Sequence, residues 1–239
     1  MAVGTEWARK RLNAKWALHP EMRQRFEREI AALQVMQHPN IVTCQAENLP
    51  GEERFYVMPL YQHSLRTLIR GGRTTGNWRM AALHGAVLAD ALQYAHDRGF
   101  VHRDLKPDNI LFNGGGSLVI ADWGLGYFVH QHSVVLDPHT RGGMGTKYYC
   151  GAEQWATGKC DGRGDIYALG MTLDEWVTGR QRVLAVGDGI RSVSTALPGR
   201  AAQRFNSLLQ SMTSRDAARR PRQMRDVATG LRSILSDPL

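Results

Sequence analysis

The chain has 239 residues, 43% of them hydrophobic and 22% charged, which suits one large domain or two small lobes around a buried core. Thirty basic residues against 22 acidic ones give a net charge of +8, but the arginines are scattered and no basic-aromatic module occurs, so no nucleic-acid partner is expected. No apolar run reaches the roughly 18 residues of a membrane span, and the opening MAVGTEWARKRL has no apolar stretch behind its charges, so no secretory signal is expected.

In chain order, residues 20–36 carry Phe26, Ile30 and Leu33 at helical spacing, with Pro20 suited to the start. Pro39 ends that helix, because the residue before a proline is pushed out of helical geometry. Two strand-like runs follow, Ile41–Gln45 and Arg54–Leu60, on either side of a Pro50-Gly51 turn. From Ser64 the pattern turns helical. Residues 78–98 place Leu83, Val87, Ala91 and Tyr94 on one stripe beside Leu88, Leu92 and Ala95, with Gly99 as the cap. Ile110–Phe112 and Leu118–Ala121 flank a glycine turn and predict a hairpin. Residues 125–150 predict a long functional loop. Asp165–Thr178 predicts a central buried helix closed by Gly179, with further helices at 201–213 and 222–235. Strands early and helices late give an α+β class with a small sheet lobe and a helical lobe. Cys44, Cys150 and Cys160 lack zinc-site spacing and are too few for a disulfide framework, so reduced thiols and a cytoplasmic setting are expected.

The chemistry concentrates in His102-Arg103-Asp104-Leu105-Lys106-Pro107-Asp108-Asn109, between the buried helix and the hairpin. A carboxylate there can accept a hydroxyl proton, an ammonium two residues on can neutralise a γ-phosphate, and an amide oxygen can ligate Mg²⁺. Downstream, Asp122-Trp123-Gly124 follows a strand, and Gly145-Thr146-Lys147-Tyr148-Tyr149-Cys150-Gly151-Ala152-Glu153 closes the long loop.

Over nearly its whole length the chain resembles the Hanks-type protein kinase family, serine/threonine branch. That resemblance implies a bilobal kinase fold, with residues 1–60 as a partial N-terminal lobe and 61–239 as the helical C-terminal lobe. It implies ATP and Mg²⁺ as cofactors, a protein substrate bearing Ser or Thr, and autophosphorylation as a possibility. Asp104 would be the base and Lys106 the γ-phosphate contact, with Asn109 and Asp122 as metal ligands. Lys10 would contact the α- and β-phosphates, with Glu29 as its partner. Met58, Leu60 and Leu111 would border the adenine, Met58 as gatekeeper and Leu60 in the hinge. Leu33, Cys44, His102 and Trp123 fall where the family stacks a hydrophobic spine. Asp165 would steady the catalytic loop, and Glu153 would pair with Arg220 in the interior. Arg103 beside Asp104 resembles kinases whose loop is ordered by phosphorylation, with Thr140, or else Ser133, as acceptor; Thr146 precedes the docking segment.

The resemblance fails at the N-terminus. Nothing upstream of Lys10 resembles G-x-G-x-x-G, so the first strand and most of the second are expected to be missing, the sheet edge to be exposed, and ATP to bind weakly. The competing expectation is a pseudokinase that acts as a binding or scaffold module. Small-molecule kinases of the aminoglycoside type are expected to lack the Lys106-Pro107 pair and the 145–153 segment. His130, His132 and His139 lack a fourth ligand and a rigid scaffold, so no metal is expected on them.

Overall fold

The computed structural model describes residues 6–12, 17–47, 55–113, 115–125, 127–128, 148–158, 160–182 and 199–237. Among the described residues the smaller lobe is a three-stranded antiparallel sheet with one helix against it. Strand β1 (Trp7–Arg11) and strand β2 (Gln45–Glu47) flank β3 (Phe55–Pro59), in the order β1-β3-β2. Along β1 the residues alternate between exposed and half-buried, so Ala8 and Lys10 share the inward face. Helix α1 (Pro20–Val35) has Pro20 at its first position and buries Phe26, Ile30 and Leu33. The Phe26 ring stacks on Tyr56 of β3, with centroids 5.7 Å apart, which fixes the helix against the sheet.

The first strand-like run is shorter than its sequence suggests. Within the run Gln45 pairs with Val57 as the first residue of β2, whereas Ile41 pairs across the lobes, as a parallel bridge to Ile120. Val42 N donates to Ile120 O at 3.0 Å, and Ile120 N donates to Asn40 O at 2.9 Å. Tertiary pairing therefore takes this segment away from the sheet, which resumes at Gln45. Arg54 lies outside the described residues, as do Pro50 and Gly51.

In the larger lobe β4 (His63–Ser64) leads into helix α2 (Leu65–Arg70), whose first turn is capped by Ser64 Oγ accepting from Thr67 N at 3.2 Å. Helix α3 (Trp78–His96) starts at Asn77, whose side chain accepts from Met80 N at 3.0 Å. It ends two residues before the sequence-predicted boundary. Its buried stripe runs through Ala81, Gly85, Leu88, Leu92 and Ala95, whereas Leu83 is 51% exposed. Periodicity gave the width of the apolar face but misplaced its centre. Gly85 is needed there, because an added Cβ would meet Leu173 at 2.9 Å and Leu231 at 3.1 Å.

Strand β5 (Phe100–Val101) pairs with β8 (Tyr127–Phe128), so the predicted loop carries a short strand within its first residues. Strands β6 (Ile110–Phe112) and β7 (Leu118–Ile120) form the expected hairpin, with Ile110 opposite Ile120. Helix α4 (Ala152–Thr157) precedes α5 (Gly162–Thr178), which starts three residues earlier than predicted because Asp161 caps it, accepting from Arg163 N at 2.9 Å. From Gly164 to Thr178 every residue of α5 is buried, and Gly179 ends it in the left-handed region at φ 70°. Helices α6 (Arg200–Met212) and α7 (Met224–Leu235) complete the lobe, with α7 packed along α3. Among the described residues no helix is long and apolar enough to cross a membrane.

Candidate active site

The site forms between the small lobe and the segments that follow α3 and the β6–β7 hairpin. After α3 the chain turns at Gly99 (φ 79°), passes through β5 and enters His102-Arg103-Asp104. The carboxylate of Asp165, wholly buried in the first turns of α5, accepts from His102 N and Arg103 N, each at 2.8 Å, and from His96 Nε2 at 2.8 Å. Burial alone would raise the carboxyl pKa. The His96 contact, aided by the backbone donors, outweighs burial and holds Asp165 below its usual range. This clamp fixes a backbone that Arg103 bends into the left-handed region at φ 66°, where a side chain is strained. The His102 ring accepts from Asp104 N at 3.3 Å through Nδ1 and so donates through Nε2 to Ala121 O at 3.0 Å, joining the two aspartate-bearing segments. It also packs on Trp123, centroids 4.6 Å apart; buried Leu33 and half-buried Cys44 belong to the same large core.

Asp104 is buried. Its Oδ2 receives Lys106 Nζ at 2.7 Å, while its Oδ1 is buried with no hydrogen-bond partner among the described residues. Asn109 sits at the end of a 3-10 turn (Pro107–Asn109) and donates Nδ2 to Asp104 O at 2.8 Å, which leaves its amide oxygen as an acceptor. Asp122 carries the second left-handed backbone of a non-glycine residue, φ 64°; Arg103 and Asp122 are the two such residues among those described. Backbone strain of this kind concentrates at functional sites.

From the small lobe, Lys10 of β1 reaches between two carboxylates, Glu29 Oε1 at 2.6 Å and Asp122 Oδ1 at 3.2 Å. Tyr56 of β3 donates its hydroxyl to the same Glu29 oxygen at 2.8 Å. Burial works against the Lys10 ammonium, but the charges of Asp122 and Glu29 prevail and raise its pKa. Burial likewise raises Glu29, with Asp122 adding to it against the pull of Lys10. Asp122, 48% exposed, is held below the usual carboxylate range: burial opposes ionisation there, and Lys10 more than offsets it.

Lys10, Glu29, Asp104, Asp122 and Gly124 line one cavity of about 270 Å³. A groove of about 480 Å³ between α6 and α7 is larger, but its lining (Arg200, Gln203, Arg204, Ser207, Leu208, Gly230 and Ile234) holds no carboxylate, whereas the smaller cavity holds those of Glu29, Asp104 and Asp122. Met58, Leu60 and Leu111 are not part of that cavity's wall. Met58 and Leu111 are half-buried against the core, and Leu60 is exposed just after β3, its N donating to Glu6 O at 2.8 Å. Glu153 of α4 receives both terminal nitrogens of Arg220, at 2.7 and 2.9 Å. Thr140, Thr146 and Ser133 lie outside the described residues, as do His130, His132 and His139. Sequence reasoning missed Tyr56, although its place beside Met58 and Lys10 on the inward sheet face was a usable signal.

A family model described as a protein kinase domain matches residues 2–229. The chain belongs to the protein kinase domain family. This kinase domain is 33% identical over 186 residues to the serine/threonine-protein kinase Pkn1 of Myxococcus xanthus, covering 75% of the chain and 26% of that protein. It is 31% identical over 194 residues to the serine/threonine-protein kinase PrkC of Bacillus subtilis, covering 80% of the chain and 28% of that protein. The chain thus spans about a quarter to a third of the length of the curated relatives it matches. The small sheet lobe and the helical lobe are those of the bilobal kinase fold. Protein kinases in general use ATP with Mg²⁺ and act on proteins.

The residues present fit such a group. Hard oxygen donors, the Asp122 carboxylate and the Asn109 amide oxygen, suit Mg²⁺, and the unpartnered Asp104 Oδ1 is an acceptor in need of a donor. Among the described residues no cluster of three or more His, Cys, Asp or Glu could hold a metal.

Proposed function

We propose that this chain transfers the γ-phosphate of ATP to serine and threonine hydroxyls of proteins. The observation that carries the reading is the pair of oxygens on Asp104: Oδ2 is held by Lys106, and buried Oδ1 is left free to take a proton beside Lys10 and Asp122. In this reading Asp104 orients the acceptor hydroxyl and receives its proton, and Lys106 neutralises charge on the phosphoryl oxygens. Asn109 and Asp122 would hold Mg²⁺, which when bound neutralises charge on the β- and γ-phosphates. Lys10, kept charged and steered by Glu29, would contact the α- and β-phosphates, while Met58, Leu60 and Leu111 border the base.

The same reading divides the domain after residue 60, the small lobe bearing Lys10 and the large lobe the rest. Arg103 would receive a phosphate on Thr140, placed there by autophosphorylation or another kinase, and Thr146 would precede the docking of the protein substrate. Transfer of labelled phosphate from ATP to a serine- or threonine-bearing protein, lost in Asp122→Asn, is the test. Transfer undiminished in that variant removes Asp122 from the metal site.

A further inference from the structure

Arg66 stands outside every motif described above, yet its guanidinium joins three segments distant in sequence. Nε and Nη2 donate to Asp108 Oδ2 at 3.2 and 3.1 Å, Nη2 also donates to Tyr149 Oη at 2.7 Å, and Nη1 donates to Glu175. The Tyr149 hydroxyl in turn donates to Glu175 and accepts from Gln181 Nε2 at 3.2 Å. Arg66 is 12% exposed, Tyr149 and Glu175 are buried, and Asp108 lies half-exposed at the rim. One cation thus faces two carboxylates and a phenol in a largely dry pocket. Burial, followed by the charge of Glu175, pushes the Tyr149 phenol far above its usual range, so it stays a hydroxyl and keeps its donor role.

The position of these partners matters. Asp108 directly precedes Asn109 in the 3-10 turn, Tyr149 lies in the segment leading to Glu153, and Glu175 belongs to the buried central helix. We propose that Arg66 is a positioning residue that ties the catalytic-loop turn and the Tyr148–Cys150 segment to α5, setting the distance at which a docked peptide hydroxyl meets Asp104. The planar fork is required, because a lysine ammonium offers a compact point charge and cannot address both edges of the cluster. The catalytic part of this inference rests on the phosphotransfer reading. The positioning part does not.

Hydrogen exchange separates the two. In Arg66→Gln, protection of the Asp108–Asn109 and Tyr148–Cys150 amides is expected to fall by about tenfold or more, with α3 unchanged, as local opening is released without global unfolding. Tyr149→Phe keeps the ring and removes only the hydroxyl, and is expected to loosen the Tyr148–Cys150 amides selectively. Unchanged protection in both variants, or a loss spread evenly over α3 and α5, would overturn the proposal. Where the parent chain phosphorylates a peptide, Arg66→Gln is expected to raise the peptide KM by about tenfold with the ATP KM unchanged, and Arg66→Lys is expected not to restore it. An equal rise in both KM values marks a merely structural role and contradicts the proposal. A folded parent that transfers no phosphate sinks the proposed function, and the exchange data then still decide the role of Arg66.

Discussion

Arg220 and Glu153 are joined by two parallel hydrogen bonds, 2.7 and 2.9 Å, between a guanidinium that is fully buried and a carboxylate that remains 30% exposed. The same guanidinium donates to Ser214 O at 2.8 Å and Arg163 O at 2.9 Å, so one side chain fastens α4 to the start of α5 and to the turn before α7. Arg220→Ala would leave Glu153 without its bidentate partner and remove the bonds to both carbonyls. A loss of about 3–5 kcal/mol in denaturant titration is expected. A loss below about half a kcal/mol, the value of a surface pair, would contradict this account of the pair.

Lys10 and Arg9 are neighbours in one basic run but do different things. Arg9 lies over the Phe55 ring at 3.6 Å, whereas Lys10 enters the cavity between Glu29 and Asp122. Lys10→Met is therefore expected to weaken Mg-ATP binding by about tenfold or more, through loss of a charge-assisted phosphate contact. Arg9→Met is expected to leave binding unchanged. Calorimetry on the two variants checks this, and equal losses would show that Lys10 acts as a surface charge.

His84 gives the fold a pH dependence of defined sign. Its ring stacks on Trp176, centroids 5.4 Å apart, and meets Phe112 edge-on at 5.9 Å; burial lowers its pKa. The unfolded chain therefore binds the proton more readily. The contribution of His84 is complete above its unfolded pKa of about 6.5 and is lost as pH falls through the lower folded value. His84→Phe is expected to flatten the fall in unfolding free energy between about pH 7 and 5. His38, also lowered by burial, keeps its own share in both proteins. Titrations at several pH values showing the same slope for parent and variant would contradict the assignment.

What could be read from the sequence was what local chemistry determines. The hairpin around its glycine turn, the central helix closed by Gly179 and the His102–Asn109 loop all depend on neighbours a few residues apart. Ile41 was misread because its partner, Ile120, lies in the other lobe. Leu83 was placed inside because an apolar face predicts burial without saying what covers each position. The left-handed turns at Arg103 and Asp122 have no residue signature, since neither is glycine. Arg66 was invisible for a different reason: its partners lie 42, 83 and 109 residues away, and only the fold brings them to one guanidinium.

The central claim is that Asp104 takes the proton of the acceptor hydroxyl. Asp104→Asn keeps the shape and the Lys106 contact while removing the base, so the melting temperature should hardly move. Transfer of labelled γ-phosphate to a serine- or threonine-bearing protein should then fall by about 10²–10⁴ relative to the parent. Transfer by Asp104→Asn at the parent rate, or no transfer by a folded parent chain that binds Mg-ATP, would contradict it.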